Sequence, residues 1–113
     1  MAAPGRVCFV AGQAGHRPDG GLAGEGLVEQ FDRAAANLVE ALRAAGGGPE
    51  HLVSMQIFVT DAAEYRSSLG PIGAAYRRRL GRSYPAMALL EVSGLFDPGA
   101  KVELMAIAVI PGP

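Results

Sequence analysis

The 113-residue sequence predicts one α+β domain, spanning residues 1–113, with two helices packed on one face of a β-sheet. Two observations support this prediction. Short β-branched and aromatic runs are interleaved with segments whose apolar residues recur every three or four positions, in the order β(β)αβαββ. Half of the residues are hydrophobic and only 19% are charged, so there is enough apolar surface for a core.

The first half of the chain predicts a strand, a loop and a long helix. Residues 6–11 form a β-branched and aromatic run typical of a strand, and a glycine-rich loop follows over residues 12–26, with a short strand expected around Leu22. Gly46 and the residues after it end a helix predicted over residues 27–45. The helix prediction rests on an apolar stripe with gaps of three and four, formed by Leu27, Phe31, Ala35, Leu38, Leu42 and Ala45.

The second half predicts a strand, two helical segments and two further strands. In residues 51–60, Val53 and every second residue after it are apolar, which is typical of a strand. Asp61, with an acidic residue three positions later, predicts the start of a short helical turn over residues 62–69. Gly70-Pro71 should break the helix there, so the main second helix is expected over residues 71–80. Residues 87–92 and 101–110 complete the predicted sheet.

The last strand is apolar on both of its faces. Val102 and Leu104 belong to one alternating set, while Met105, Ile107 and Val109 belong to the other. A sheet that exposes one face to water should carry polar residues there. Since the chain has no further element to cover a second face, the sequence predicts self-association.

Charge and residue counts exclude several classes of function. The net charge is −1, so no basic stripe for nucleic acid is indicated, and the cluster from Arg77 to Arg82 is interpreted as a solvated helix end. Cys8 is the single cysteine, which excludes an intramolecular disulfide. His16 and His51 do not have zinc-ligand spacing, so we expect no metal and no cofactor. No membrane span or signal peptide is recognised, and a cytoplasmic protein is expected.

Several motifs together resemble those of the YjgF/RidA family of reactive-intermediate (imine/enamine) deaminases. Residues 9–13 (Phe-Val-Ala-Gly-Gln) are similar to the family's Ser-Gly-Gln strand end, and residues 84–92 and 101–109 are similar to its last two strands. The resemblance covers nearly the whole chain. It implies a chorismate-mutase-like fold, a homotrimer, and ligand clefts at the subunit interfaces.

The resemblance also implies a mechanism. An arginine would hold the carboxylate of a 2-imino or 2-enamino acid, and a last-strand glutamate would orient the attacking water. Here Met87 occupies the arginine position and Met105 the glutamate position, while Glu103 matches a second acidic residue of the family. Leu89 and Gly73 replace a cysteine and an asparagine that line the family's cleft.

The resemblance therefore implies a cleft whose polar groups are largely lost. The weak catalytic candidates are Glu103, Glu91 and Arg82, the last because it is the arginine nearest to Met87 in sequence. We expect the ligand-binding cleft to include Gly12, Gln13, Gly73, Tyr76, Met87, Leu89 and Met105.

Three functions stay open at this point. The chain could hydrolyse a small imine or enamine to a carbonyl compound and ammonia, with a divergent site. Alternatively, it could be a non-catalytic small-molecule-binding or scaffolding trimer with an apolar intersubunit cleft, or a specialised pathway enzyme such as an aminomuconate-type deaminase. The ribonuclease label that the family also carries has the least support, because the expected cleft is apolar and the net charge is negative.

Overall fold

Seven elements of regular structure follow one another along residues 4–112, the part of the chain that this computed structural model describes. The predicted α+β class is confirmed, and a 3₁₀ turn (Pro49–His51) precedes the second strand. In chain order the elements are β1 (Arg6–Ala14), α1 (Leu27–Ala44), β2 (Leu52–Val59), α2 (Ala62–Ser67), α3 (Leu69–Leu80), β3 (Ala86–Glu91) and β4 (Val102–Ile110).

The four strands form one sheet in the order β1-β4-β2-β3. Strand β4 lies between β1 and β2 and is antiparallel to both. Strand β3 pairs with β2 in parallel, and α2 and α3 make the crossover between them. The last two strands of the sequence are therefore separated by β2.

One face of the sheet packs against the helices. The central strands turn alternate apolar residues toward α1, whose Phe31, Leu38 and Leu42 are completely buried. Helix α3 packs on α1 and adds Ile72 and Leu80 to the same core. The strand residues of this core include Val10, Met55, Ile57, Val59, Val102, Leu104, Ala106, Ala108 and Ile110.

The second helical segment differs from its prediction. Helix α3 begins at Leu69 rather than at Pro71, so Gly70-Pro71 lies inside its first turn and does not interrupt it. This is possible because the first N–H groups of a helix have no intrahelical partner, so a proline there loses no helical hydrogen bond. The predicted cap at Asp61 is confirmed, since its carboxylate accepts a hydrogen bond from the Glu64 N–H at 3.1 Å.

The short strand predicted around Leu22 is wrong, and the strand predicted over residues 51–60 is confirmed except for its alternation at Val53. Leu22 forms only an isolated bridge with His16, because the surrounding glycines make turns rather than a ladder. In β2, a register shift between Leu52 and Ser54 displaces the alternation, so that Leu52 rather than Val53 is buried with Met55.

Two polar contacts join the helix layer to its surroundings. Gln30 of α1 is completely buried, and its side chain bonds the Gly24 carbonyl (2.9 Å), the Gly99 carbonyl (3.1 Å) and the Lys101 N–H (2.7 Å). Asp32 of α1 accepts two hydrogen bonds from Arg79 and one from Arg78, each at 2.9–3.0 Å. The arginine cluster at the end of α3 is therefore ion-paired in part, contrary to the expected solvated helix end.

The opposite face of the sheet carries no helix, and we call it the open face. Its apolar character, expected from the last strand, is confirmed: Val7 is 58% exposed, Phe9 77% and Met105 41%. The strand pairing assigns to this face Val7 and Phe9 from β1, Glu103, Met105, Ile107 and Val109 from β4, Ser54, Gln56 and Phe58 from β2, and Ala86, Ala88 and Leu90 from β3.

Candidate functional site

A β-bulge in β1 shapes the centre of the open face. The register with β4 shifts between Val10 and Gln13, so Ala11 and Gly12 together lie opposite Met105. The Gln13 side chain donates to the Ala11 carbonyl at 3.0 Å and so closes the bulge on itself. Bulges re-aim side chains and are frequent beside functional sites. The bulge includes Gly12, and regular pairing resumes at Gln13; both residues were predicted to line a cleft.

A cavity of about 330 Å³ opens beside this bulge, which is within the usual size range for small-ligand sites. We call it the bulge pocket. It lies on the open face at the junction of β1, β4 and β2. It is lined by Phe9, Val10, Ala11, Ser54, Gln56, Met105, Ala106 and Ile107.

Glu103 lies on the same face of β4 as Met105, two residues away, so its Cα is about 7 Å from that of Met105. Its carboxylate contacts the backbone of Gly12, and a Cβ at position 12 would overlap the Glu103 side chain. A larger residue at position 12 would therefore make the flexible Glu103 side chain move away from the bulge. This places a carboxylate next to Met105, just outside the residues that line the bulge pocket.

Met87 and Leu89 lie on the other face of the sheet. They pair with Met55 and Ile57 of β2, which face the helices. Both side chains nevertheless remain accessible, at 43% and 38%, because β3 is an edge strand and the helix layer does not cover it. We call this accessible strip, formed by Met87 and Leu89, the β3 edge site.

Glu91 ends β3 and has a structural partner. Its carboxylate accepts a hydrogen bond at 2.8 Å from the N–H of Ala62, the first residue of α2. An acceptor at a helix N-terminus satisfies an otherwise unpaired donor. Of the two candidate glutamates, Glu91 therefore caps a helix, whereas Glu103 borders a pocket.

Tyr76 supports the turn that leads into β3. It is buried, its hydroxyl donates to the Ser83 carbonyl, and its ring stacks on Tyr84 with centroids 5.3 Å apart. Burial raises the pKa of Tyr76 to about 12, so the hydroxyl stays protonated as a donor. Gly73 lies one turn earlier on α3, and Arg82 is exposed in the turn itself.

The structure brings the predicted site residues together in two groups and not in one. Gly12, Glu103 and Met105 lie beside one another at the bulge on the open face, and of these Met105 lines the bulge pocket. Gln13 pairs instead with Leu104, whose side chain is buried against the helices. Gly73, Tyr76, Met87 and Leu89 belong to the helix layer or to the face that it partly covers. Within one chain, the sheet separates the bulge pocket from the β3 edge site.

Of the eight residues that line the bulge pocket, sequence reasoning named only Met105. It missed the other seven, which are Phe9, Val10, Ala11, Ser54, Gln56, Ala106 and Ile107. Ser54 and Gln56 carried a usable signal, because two polar residues alternate with the buried residues of β2 and therefore share its second face. Their position beside Met105 follows only from the strand order, which alternation does not reveal.

Two negative observations apply to residues 4–112. No group of three His, Cys, Asp or Glu side chains in this range is arranged to hold a metal ion. No helix in the same range is long and apolar enough to cross a membrane.

Comparison with known proteins gives consistent matches. The family model described as "Endoribonuclease L-PSP" matches residues 1–110. The mouse protein named 2-iminobutanoate/2-iminopropanoate deaminase is 33% identical over 105 residues, covering 92% of this chain and 74% of the mouse protein. The mitochondrial protein mmf2 of Schizosaccharomyces pombe is 31% identical over 106 residues, covering 92% of this chain and 80% of its own.

Solved structures agree with these matches. The Rid-family protein YyfB of Yersinia pestis superposes with a TM-score of 0.86 at 28% identity, covering 97% of this chain and 83% of that one. Rv2704 of Mycobacterium tuberculosis, from the YjgF/YER057c/UK114 family, superposes with a TM-score of 0.76 at 28% identity, covering 96% and 82%. Since the family model, the relatives and the fold agree over nearly the whole length, the chain belongs to the endoribonuclease L-PSP family, which includes the Rid proteins.

Proposed function

We propose that this protein hydrolyses a small imine or enamine to a carbonyl compound and ammonia. The observation that supports this most directly is the Glu103 carboxylate, which lies against Gly12 just outside the residues that line the bulge pocket. A relative with 33% identity is named as a deaminase of 2-iminobutanoate and 2-iminopropanoate. The bulge pocket has the size for such small molecules.

In the proposed reaction, Glu103 accepts a proton from a water whose oxygen attacks the imine carbon. The C=N π electrons move to nitrogen, which takes up a proton, and the resulting tetrahedral carbinolamine expels ammonia to leave a C=O group. An enamine enters the same sequence after protonation on carbon. The balance is one imine plus one water giving one carbonyl compound plus one ammonia, with no oxidant or cofactor.

We further propose that the site is completed by another copy of this chain in a homotrimer. The open face presents Val7 at 58% and Phe9 at 77% exposure, and a continuous apolar surface of this kind favours burial against a partner. Bringing the open face of one copy against the β3 edge of another would place the two groups of site residues together. Light scattering should give three times the chain mass of 11.6 kDa, and a monomer would refute this part.

The test of activity is imine hydrolysis. An amine oxidase and an amino-acid oxidase generate neutral imines and 2-imino acids in situ, and semicarbazide traps whatever imine survives. The protein should shorten the imine lifetime, and Glu103→Gln should reduce this acceleration by about 100-fold, within the range for a general base. Glu91→Gln is the matched control, because its amide oxygen can still accept from the Ala62 N–H. No acceleration with any imine would refute the proposal.

A non-catalytic binding or scaffolding trimer is the second candidate. The presence of Met87 and Met105 on accessible surfaces favours it, since neither side chain can grip a carboxylate or transfer a proton. This candidate predicts that small molecules bind in the bulge pocket while imine lifetimes remain unchanged. Glu103→Gln would then alter ligand affinity alone.

The cytoplasmic location stays a prediction, and the S. pombe relative is named as mitochondrial. Imaging of the tagged protein in its own cells tests it.

A further inference from the structure

We propose that the bulge pocket selects an uncharged ligand, and that the substrate of this site is a small imine or enamine that carries no carboxylate. The chemical class of the substrate rests on the proposed imine hydrolysis. The preference for a neutral ligand rests on the lining of the pocket and can be measured without turnover.

The lining combines an apolar wall with two neutral polar side chains. Phe9, Met105 and Ile107 supply apolar surface, while Ser54 and Gln56 supply a hydroxyl and a carboxamide. These two groups can both donate and accept hydrogen bonds. A small amide, ketone or imine can therefore bury its carbon chain and still satisfy its polar end.

The part of the pocket that one chain supplies contains no positive charge. Among the described residues, which include all ten lysines and arginines, no cationic side chain lines it. Most of the cations have partners elsewhere in the structure. These pairs are Arg6 with the Ala45 carbonyl, Arg17 with Asp19, Arg33 with Glu40, Arg78 and Arg79 with Asp32, and Lys101 with Glu64.

The ionisable group beside the pocket is negative. Glu103 is placed to repel a carboxylate ligand, which would also lose its hydration without gaining a cation. Removing an ionised carboxylate from water without a partner is strongly unfavourable, whereas the free energy of removing a hydrogen-bonded amide or imine from water is small. A protonated imine would in addition be attracted by Glu103. The same lining thus disfavours 2-imino acids and favours neutral or protonated imines.

The test compares two matched probes, butanamide and butanoate, which differ in their polar end and not in their chain. Ligand-observed NMR on the full-length protein should show butanamide binding at least tenfold more tightly than butanoate at pH 7. Equal or tighter binding of butanoate would overturn the inference, and so would the absence of binding by both probes. None of these outcomes depends on catalysis, so a failure of imine hydrolysis leaves this result readable.

A variant pair assigns the preference to the pocket. Met105→Lys adds a cation inside the lining, at a side chain that is 41% exposed in one protomer. It should bring butanoate affinity up to or above that of butanamide. Ala74→Lys adds the same charge on the exposed surface of α3 and should leave the preference unchanged. A reversal produced equally by both variants would show that net charge, rather than the pocket, decides the binding.

Discussion

Met55 and Met87 are neighbours in the sheet with opposite environments. They are directly paired between β2 and β3 and lie on the same face, yet Met55 is 1% exposed and Met87 is 43% exposed. The difference arises because α1 and α3 cover the central strands of the sheet but do not extend over the edge strand β3. Of two identical side chains at one level of the sheet, one is therefore core and the other is available for a ligand or a partner.

The largest expected effect separates these two methionines directly. Met55→Ala should lower the free energy of unfolding by about 2–5 kcal/mol, since it leaves a cavity in a closed core. Met87→Ala should cost less than about 1 kcal/mol in a single protomer, because its side chain is already partly in water. Urea denaturation at several protein concentrations measures both. A cost for Met87→Ala that grows with assembly would mean that a partner buries this side chain.

A second substitution tests how much the hydrogen bonds of buried Gln30 stabilise the fold on the covered face. Gln30→Leu keeps the volume but removes the bonds to the Gly24 and Gly99 carbonyls and to the Lys101 N–H. We expect a loss of about 2–4 kcal/mol, because buried backbone groups are left without partners. Glu29→Gln, one residue earlier and exposed, is the control and should change stability by less than about 1 kcal/mol. Equal losses in the two variants would contradict the structural role of Gln30.

The third prediction concerns the accessible methionine. Met87→Arg should be tolerated with a change in stability of no more than about 1 kcal/mol, because the side chain can extend into solvent. It should raise the relative hydrolysis of 2-imino acids over neutral imines by about tenfold, since an arginine can pair with a carboxylate. Competition between the two imine classes measures this ratio. An unchanged ratio would indicate that the β3 edge site does not reach the substrate.

The smallest expected effect concerns the ion pairs between Asp32 of α1 and the arginines of α3. Hydrogen bonds from Arg79 and then Arg78 hold the pKa of Asp32 below its usual value of 3.8. A carboxyl with a lowered pKa in the folded state stabilises the fold above its usual pKa and loses that contribution as the pH falls through the lowered value. Asp32→Asn should therefore cost at most about 1 kcal/mol at neutral pH. In urea titrations, the difference from the parent should shrink as the pH falls below the usual carboxyl pKa and through the lowered pKa of Asp32.

Local sequence patterns predicted the helices and strands well, but they did not predict which strands lie side by side in the sheet. The spacing of apolar residues from Leu27 placed α1 within one residue of its observed end, because one buried face of a helix is a local property. The position of Met105 beside Ser54 and Gln56 depends on β4 entering between β1 and β2. That placement is set by packing between distant segments, so alternation along one strand could not reveal it.

The sequence predicted few of the residues that line the bulge pocket, since Met105 alone of the predicted cleft is among them. Gly12 and Glu103 were both singled out, and in the structure the Glu103 carboxylate lies against Gly12. Glu91 could not be distinguished from Glu103 by residue type alone. The two are distinguished because the Glu91 carboxylate accepts a hydrogen bond from the N–H of Ala62 at the start of α2. This contact joins residues 29 positions apart in the sequence.

The parallel pairing of β3 with β2 has a consequence for the order of folding. Strand β3 reaches its place only after the chain has passed through α2 and α3, so its pairing closes a long loop. Its six residues are all exposed in the protomer, so few contacts stabilise β3 if it pairs early in folding. We expect its amide hydrogens to exchange first. A chain could then complete its core while the strand that carries Met87 is still unformed. In that case only chains in which β3 has formed would be able to assemble.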